Sequence, residues 1–138
     1  MTKASIEPFG QAHLDGLIAL VTAEGWTEYT DDVDRTYRAL TAPGVTTLVA
    51  TGVKRVVGAV QIQSDGLIQA HVSMLLIDRD WRGVGLGSRL LGEGLKRAGG
   101  LQLDVRTRTE GYYERLGASR SLGFRLMRGD LGLSPDVA

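Results

Sequence analysis

The sequence predicts a mixed α/β fold, with a mostly antiparallel sheet, one parallel pair of strands and about four flanking helices. Three strand-like segments in succession, at 46–51, 56–64 and 70–77, are joined by short turns and predict an antiparallel meander. A leucine-rich helix over 86–98 then leads to an alternating strand at 101–105. Such a strand–helix–strand crossover is nearly always right-handed, and it makes the strands at 70–77 and 101–105, the fourth and fifth of the chain, parallel.

The region before the meander predicts one strand and two helices. Residues 4–8 are expected to form the first strand. Apolar residues recur at helical spacing within 11–24, which predicts an amphipathic helix. They are Leu14, Leu17, Ile18 and Val21. Asp31 or Asp32 can cap a second helix, which Pro43 and the glycine after it should end.

Turn signals and a final strand complete the prediction. Residues 52–55 look like a hairpin connection, and Asp65-Gly66 marks a second tight turn. Residues 110–116 are expected to form a short helix and 121–128 a last strand, with 129–138 as a loose tail. No linker interrupts the pattern, so residues 1–138 are expected to form one domain.

Composition excludes several classes of function. The 138 residues carry 16 basic and 16 acidic side chains, so no nucleic-acid or membrane surface is expected. There is no cysteine and there are two histidines, which argues against a metal centre and excludes a thiol nucleophile. The N-terminal residues look like a strand rather than a signal peptide, which predicts a cytoplasmic protein.

A glycine-rich loop is the main sign of chemistry. An apolar strand ends at Ile77, and a loop from Arg82 to Ser88 opens into the leucine-rich helix. Arg82, Gly85 and Gly87 fit the pattern Arg-x-x-Gly-x-Gly. Glycines let the backbone approach a ligand, and the unpaired N–H groups at a helix N-terminus attract phosphate. The segment therefore predicts a site for the pyrophosphate of a nucleotide cofactor.

Two other phosphate loops fit this sequence less well. A P-loop needs a lysine directly after its last glycine, and none follows Gly87. A dinucleotide fingerprint needs Gly-x-Gly-x-x-Gly, whereas Gly83, Gly85 and Gly87 alternate with other residues. Taken alone, the loop is also consistent with a glycine-rich turn that caps an ordinary helix.

A second motif follows the glycine loop by about 25 residues. It reads Tyr-Tyr-Glu-Arg-Leu-Gly over 112–117 and lies just beyond the parallel strand. With the Arg-x-x-Gly-x-Gly loop it resembles the coenzyme A loop and the Phe-Tyr-Glu-Lys-Leu-Gly-Phe segment of the GNAT superfamily of N-acetyltransferases. The order of elements is similar over nearly the whole chain, although the first 45 residues resemble the family in element order alone.

The resemblance implies acetyl-CoA as the co-substrate, bound where strands 4 and 5 splay apart. Strand backbone would pair with the pantetheine amides, and the loop amides would hold the pyrophosphate. Arg82 would brace the loop or meet a phosphate. The residues implied to bind the cofactor are Leu75, Leu76, Ile77, Arg82, Gly83, Val84, Gly85, Leu86, Gly87 and Ser88. Tyr113 is implied as the general acid that protonates the departing sulfur.

A base that deprotonates the amine has several candidates. His71 lies in strand 4, in phase with Ser73, Leu75 and Ile77 by simple alternation, and imidazole titrates near neutral pH. A hydrogen-bonded structural histidine would explain it equally well. Asp104 on strand 5 is a second candidate, and two glutamates before the second predicted helix are a third. A water chain without a single essential base is also consistent with the sequence.

The segment from Ala23 to Asp32 is expected to form the acceptor pocket. It mixes aromatic and acidic side chains, which suits a cationic amine. The candidates are Glu24, Trp26, Glu28 and Tyr29. An ordinary solvated loop with one anchored tryptophan is the alternative interpretation. The acceptor is expected to be a primary amine of a small molecule or a protein.

The chain departs from the family pattern near its end. The connection over 106–111 is short, and Ala118 stands where the family has phenylalanine. A reduced final hairpin would leave a sheet edge for a second subunit, so a homodimer is plausible. Two further functions remain open, an acyltransferase using another acyl-CoA and a non-catalytic CoA-binding or regulatory module.

Overall fold

The computed structural model describes residues 3–136 and contains five strands and four α-helices. In chain order they are β1 Ser5–Pro8, α1 Leu14–Ala23, α2 Val33–Leu40, β2 Val45–Gly52, β3 Arg55–Ser64, β4 Gln69–Ile77, α3 Leu86–Ala98, β5 Gln102–Val105 and α4 Glu110–Arg115. Short 3-10 turns lie at Gln11–His13, Thr27–Tyr29, Arg79–Trp81 and Arg128–Leu131. The mixed α/β fold with about four helices is confirmed. None of the helices in residues 3–136 is long and apolar enough to span a membrane.

The five strands form one sheet in sequence order, β1-β2-β3-β4-β5. Every neighbouring pair is antiparallel except β4 and β5, which are parallel as predicted. The parallel ladder runs from Gln69↔Gln102 to Val72↔Val105. Because β4 continues to Ile77, its last five residues extend beyond the end of β5. This separation of the two strands leaves β4 backbone open along one side.

The core has two layers, one on each face of the sheet. α1 and α2 cover one face, where Leu17, Val21 and Leu40 pack with Met74 and Leu76. α3 covers the other face.

Two glycines mark the close approach of α3 to the sheet. A Cβ on Gly94 would lie 2.7 Å from Ile62 Cδ1, and one on Gly58 would lie 3.2 Å from both Leu90 Cδ1 and Ile77 Cδ1. The side chains of Ile62 and Ile77 therefore face α3.

The β2–β3 hairpin forms where it is predicted but with unusual residues. Gly52 pairs with Arg55, and the two residues between them, Val53 and Lys54, have φ of 53° and 63°. Left-handed conformation at both central positions is the pattern of a type I′ turn, which normally selects asparagine and glycine. A Cβ on Gly52 would lie 2.5 Å from the Trp81 ring, so that position has room for glycine alone.

The described chain divides into two compact units, the first ending at Val105 and the second beginning at Arg106. The first contains the whole sheet with α1 to α3, and the second contains α4 and the turn at Arg128–Leu131. Residues 1, 2, 137 and 138, which include the end of the tail expected to be loose, lie outside the described residues.

The prediction of a last strand over 121–128 is wrong. No strand forms there among the described residues, and Leu122 and Phe124 are 86% and 85% exposed. Alternating apolar residues suggested the strand, because such a pattern favours β structure. A strand forms, however, only when a neighbouring strand is there to share its backbone hydrogen bonds. Periodicity alone does not reveal whether that partner is present.

Candidate functional site

The turn after β4 is organised by Asp78. Its Oδ1 accepts a hydrogen bond from the Asp80 N–H at 2.9 Å, and its Oδ2 lies 2.8 Å from Arg55 Nη1. The Asp80 N–H, together with the Arg55 guanidinium, holds the pKa of Asp78 below its usual value against an opposing effect of burial. The carboxylate therefore stays ionised and fixes the start of the 3-10 turn that precedes the glycine loop.

Arg82 braces the glycine loop from its first position. Its Nε donates to Ile77 O at 3.0 Å, and its Nη2 lies 2.6 Å from Glu24 Oε1. The guanidinium thus joins the end of β4, the loop and the C-terminal end of α1. Of the two roles expected for Arg82, this structure has the bracing one.

Gly83 and Gly85 give the loop its shape. Their φ values are +79° and +83°, a region that residues with a Cβ seldom adopt. Nothing lies within 4 Å of the position that a Cβ would take at either glycine. Glycine is therefore required by backbone conformation, and the space beside the loop is open to a ligand.

The N-terminus of α3 faces this open loop. Gly85 is the N-cap and provides no side-chain cap, and the first helical hydrogen bond runs from Arg89 N to Gly85 O at 3.1 Å. Leu86 is 3% exposed and anchors the first turn, whereas Val84 is 55% exposed. Gly87 and Ser88 lie in that first turn. A helix start without a side-chain cap has the arrangement that binds phosphate.

Arg89, near the start of α3, is engaged by backbone. Its Nη1 and Nη2 donate to Ala4 O at 3.4 and 3.3 Å. The side chain therefore ties α3 to the residue before β1.

The open part of β4 presents alternate backbone groups. The Asp78 N–H donates to Val57 O at 2.8 Å, which fixes the hydrogen-bonded pairs of the β3–β4 ladder. Since these pairs alternate along antiparallel strands, Leu76 also turns its amide groups towards β3. The amide groups of Leu75 and Ile77 point away from β3, to the side where β5 has ended. Leu76 was also predicted to bind the cofactor. Because its amide groups face β3, the Leu76 backbone is not open to a ligand, and this part of the prediction is corrected.

A β-bulge divides β4 into two halves. Gln61 pairs with Met74, but Ile62 pairs with Val72, so Ser73 is one extra residue in the ladder. An extra residue reverses the alternation of side chains between the two faces of a sheet. The two halves of β4 are therefore out of phase with one another.

His71 consequently lies on the face that α1 and α2 cover. Its neighbour on β3 is Gln63, whose Nε2 donates to Ser73 Oγ at 2.6 Å on this same face. The prediction that His71 is in phase with Leu75 and Ile77 is wrong, because simple alternation cannot anticipate the bulge. On β5, the residue in register with His71 is Asp104, and both side chains are exposed.

The four acceptor candidates lie between α1 and α2. The Tyr29 hydroxyl donates to Gln61 Oε1 at 3.2 Å and approaches Ser73 O at 3.5 Å. The Trp26 ring lies 5.8 Å from the Tyr29 ring, and both pack against the core on the α1 face. Glu28 is exposed. The fourth candidate, Glu24, is the glutamate paired with Arg82.

Tyr113 lies in α4, within the second unit. Burial, with a smaller effect of the neighbouring Tyr112, raises the pKa of the Tyr113 phenol above its usual value. The two rings meet edge to face with centroids 5.0 Å apart. Arg120, which follows α4 in the chain, pairs with Glu110 and Glu114 of that helix at 3.1 and 2.6 Å.

Sequence reasoning missed two features of this site. Asp78 was not singled out, although an aspartate two residues before another aspartate at a strand end is a recognisable turn cap. The bulge at Ser73 has no comparable signal in the sequence. Within residues 3–136 no group of three or more histidine and acidic side chains is arranged to hold a metal ion.

Known proteins resemble this chain both in sequence family and in fold. The family model for the acetyltransferase (GNAT) domain matches residues 11–124. A search of curated proteins found no match.

Three similar solved structures illustrate the likeness of fold. A transcriptional regulator from Bacillus halodurans C-125 is 17% identical with a TM-score of 0.75, covering 90% of this chain and 99% of that one. Ribosomal-protein-alanine N-acetyltransferase from Brucella melitensis biovar Abortus 2308 is 17% identical with a TM-score of 0.71, covering 91% and 98%. AAC(6')-Iy, in complex with the bisubstrate analogue CoA-S-monomethyl-acetylneamine, is 14% identical with a TM-score of 0.73, covering 91% and 99%.

Proposed function

The chain belongs to the GNAT acetyltransferase family, and we propose that it transfers an acetyl group from acetyl-CoA to a primary amine of a small molecule or a protein. The family supports acyl transfer from CoA, and its model spans both compact units, residues 11–124. We therefore propose that residues 1–138 act as one catalytic domain. The observation that carries the proposal is the uncapped start of α3 beside open β4 backbone.

The proposed binding of acetyl-CoA uses backbone groups of the first unit. The amides from Gly83 to Ser88 hold the pyrophosphate, with Arg82 keeping the loop in shape through Ile77 O and Glu24. The outward-facing amide groups of Leu75 and the N–H of Ile77 pair with the pantetheine arm, in the way that a peptide adds to a sheet edge. This arrangement needs no positive side chain at the phosphates, which is consistent with the engagement of Arg82 and Arg89 elsewhere.

The proposed reaction uses two residues of this chain for its proton transfers. Acetyl-CoA supplies an activated acetyl carbon and a thiolate leaving group. The amine nitrogen bonds to that carbon as the carbon–sulfur bond breaks. His71 takes the proton that the ammonium must lose before it attacks, and Tyr113 donates a proton to the thiolate. The second proton that the nitrogen loses as the amide forms restores the Tyr113 phenol. The raised pKa of Tyr113 keeps its proton in place at neutral pH.

The proposed acceptor is a cationic amine bound on the α1 face of the sheet. The Trp26 and Tyr29 rings and the exposed Glu28 carboxylate offer cation–π and ionic contacts to an ammonium group. The similar structures include one named for ribosomal-protein alanine and one with an acetylneamine analogue, so proteins and small amines both belong in a first screen.

Calorimetric titration with acetyl-CoA and with NADH, at one ionic strength, tests the proposed site. We expect micromolar binding of acetyl-CoA, no binding of NADH, and loss of binding in Gly85→Glu. Gly44→Glu is the matched control, because Gly44 also has positive φ and lies away from the loop. Failure of the unaltered protein to bind acetyl-CoA would overturn the proposal.

Turnover assays then separate the enzyme from its alternatives. Release of free CoA thiol in the presence of an amine panel supports acetyl transfer. Faster turnover with a longer acyl-CoA would assign another acyl donor. Tight acetyl-CoA binding without turnover on any amine would favour a non-catalytic CoA-binding or regulatory module.

We also propose that two copies of the chain associate through the edge of the sheet. β5 is an edge strand of four residues, and Leu101 directly before it is 83% exposed. Exposed strand edges commonly pair with another chain. Light scattering should give a dimer mass, and Leu101→Lys should lower it. A monomer mass at every concentration would contradict the association.

A further inference from the structure

Three neighbouring strands place polar side chains in one row across the sheet. Gln63 of β3 is in register with His71 of β4, and His71 is in register with Asp104 of β5. The row lies one residue before the last parallel pair, Val72↔Val105, and thus beside the point where β4 and β5 separate. From the sequence, His71 and Asp104 are alternative bases, whereas in the structure they are direct neighbours on adjacent strands.

The bulge at Ser73 sets the face on which this row lies. Gln63 donates to Ser73 Oγ at 2.6 Å, and the Tyr29 hydroxyl approaches Ser73 O at 3.5 Å. His71 therefore shares a face with Tyr29 of the proposed acceptor segment. The backbone of Leu75 and Ile77, proposed to bind the acyl donor, begins just beyond the bulge. A group at His71 is thus placed on the amine side of the reaction.

The spacing of adjacent strands allows His71 and Asp104 to meet. Neighbouring strands lie about 4.8 Å apart, and side chains in register point to the same side. The two side chains make no hydrogen bond or ion pair with each other in this conformation, and both are exposed. Exposed side chains change rotamer in picoseconds to nanoseconds. Rotation about their side-chain bonds therefore suffices to bring the carboxylate to an imidazole N–H.

His13, the other histidine of the chain, shows how a structural histidine differs. Its Nδ1 accepts from the Gly10 N–H at 2.9 Å, and its Nε2 lies 3.1 Å from Glu7 Oε1. Both ring nitrogens are engaged, and the side chain is 20% exposed. His71 is exposed on the face where the acceptor segment lies, so its ring is accessible to a substrate.

We propose that Asp104 is a positioning residue that accepts a hydrogen bond from one nitrogen of His71 and leaves the other nitrogen free to take the proton of the ammonium substrate. The inference rests on the proposed function and adds a second residue to its proton transfer. The proton moves from the substrate nitrogen to the free imidazole nitrogen, and none passes to Asp104. A carboxylate in this position fixes the imidazole tautomer and orientation and stabilises the imidazolium that forms.

Imidazole nitrogen NMR of the protein without ligands tests the pair independently of any reaction. The chain has two histidines, so two sets of ring signals are expected, and those of His13 serve as an internal reference. Asp104→Ala should change the tautomer populations of His71 and leave those of His13 unchanged, and Asp104→Glu should restore them. Gln102→Ala is the matched control, because Gln102 is an exposed residue of the same strand in register with Gln69. Unchanged His71 tautomers in Asp104→Ala would overturn the pairing.

Steady-state kinetics with an amine that the protein acetylates tests the catalytic consequence. We expect Asp104→Ala to lower kcat on the order of 100-fold, within the range of acid–base catalysis, and to leave the KM for acetyl-CoA nearly unchanged. His71→Ala should cost at least as much, and the double variant little more, since the two act as one unit. Gln102→Ala should retain the unaltered kcat.

The outcomes of the two measurements separate the two proposals. A tautomer effect with an unchanged kcat in Asp104→Ala would overturn the positioning role while leaving acetyl transfer intact. Absence of turnover in the unaltered protein would remove the proposed function and with it the proton-acceptor role of His71. The NMR result would then report only a structural pair.

Discussion

At the scale of single residues, Tyr113 shows how local burial prepares a group for chemistry. Its ring lies edge to face with Tyr112, and burial raises the pKa of the phenol. A phenol with a raised pKa keeps its proton through the neutral range and loses it only above its usual value near 10. A proton donor of this kind is available at neutral pH, and its activity should fall on the alkaline side.

Tyr113→Phe tests this role. The substitution removes one hydroxyl and keeps the ring that packs against Tyr112, so we expect kcat to fall about 100-fold while the Kd of acetyl-CoA changes little. The alkaline decline of kcat that belongs to the phenol should disappear in the variant. Equal losses in kcat and in acetyl-CoA affinity would instead indicate a binding role for the hydroxyl.

The hairpin residues Val53 and Lys54 are unfavourable for the turn that they form. Left-handed backbone costs roughly 1–2 kcal/mol for residues with a Cβ, and Val53 is branched at that atom. Replacing the pair by Asn-Gly should therefore raise the free energy of unfolding by about 1 kcal/mol and Tm by about 4 °C. Differential scanning calorimetry measures the change, and the single variants should show parts of it. An unchanged Tm would mean that the turn is relaxed in another conformation.

Predictability at this scale depends on whether a residue acts alone or through a partner. The sequence offers two candidates for the N-cap of α2, Asp31 and Asp32. In the structure Asp32 is the N-cap, and its side chain accepts a hydrogen bond from Arg35 N at 3.0 Å. That choice depends on local spacing. The roles of Arg82 and Asp78 depend on Glu24 and Arg55, which are distant in sequence and become neighbours only in the fold.

At the scale of elements, α3 is the best-predicted part of the chain. Its predicted span, 86–98, coincides with the observed one. The agreement has a local cause, because glycines with positive φ stand at both ends, Gly85 at the start and Gly99 at the end. Strand β4 was also located from its composition, but its bulge was not, since the extra residue is defined only relative to β3.

Two glycines of α3 should respond to alanine with opposite signs. Gly92 lies within the helix with nothing within 4 Å of a Cβ, so Gly92→Ala should stabilise the protein by about 0.5–1 kcal/mol. Gly99 has φ of +78°, and a Cβ there would lie 2.7 Å from Gly66 O, so Gly99→Ala should destabilise it by more than that amount. Urea unfolding of both variants measures the difference. A stabilising effect at Gly99 would show that the end of α3 can adopt another conformation.

At the scale of the whole molecule, the architecture could be predicted because it is built from pieces that neighbouring segments of the chain form. A meander with short turns and one crossover helix leaves few ways to arrange five strands. The resemblance to the family then supplied the expected site. The final strand was predicted from the same kind of pattern and did not form. A strand needs a neighbouring strand to bond with, and whether one is present is decided only when the chain has folded.

A chain that ends at Val105 tests the independence of the first unit. It contains all five strands and every predicted cofactor-binding residue, so we expect cooperative unfolding and a Kd for acetyl-CoA within about tenfold of the full chain, a change of about 1.4 kcal/mol. Turnover should be lost with Tyr113. Circular dichroism with urea unfolding, followed by calorimetry, provides the measurement, and Tyr113→Phe in the full chain is the control. Non-cooperative unfolding would show that residues 106–138 are needed to complete the fold.

The extra residue at Ser73 has a consequence for how this protein can diverge. Gln69 and His71 contribute side chains on the α1 face, while Leu75 and Ile77 contribute backbone at the open edge, and the bulge at Ser73 lies between the two pairs. Substitutions at exposed positions before the bulge, such as Gln69, can alter what the protein recognises without disturbing the core. Leu76 beyond the bulge is a core residue, so directed evolution of acceptor specificity should concentrate its accepted mutations before the bulge.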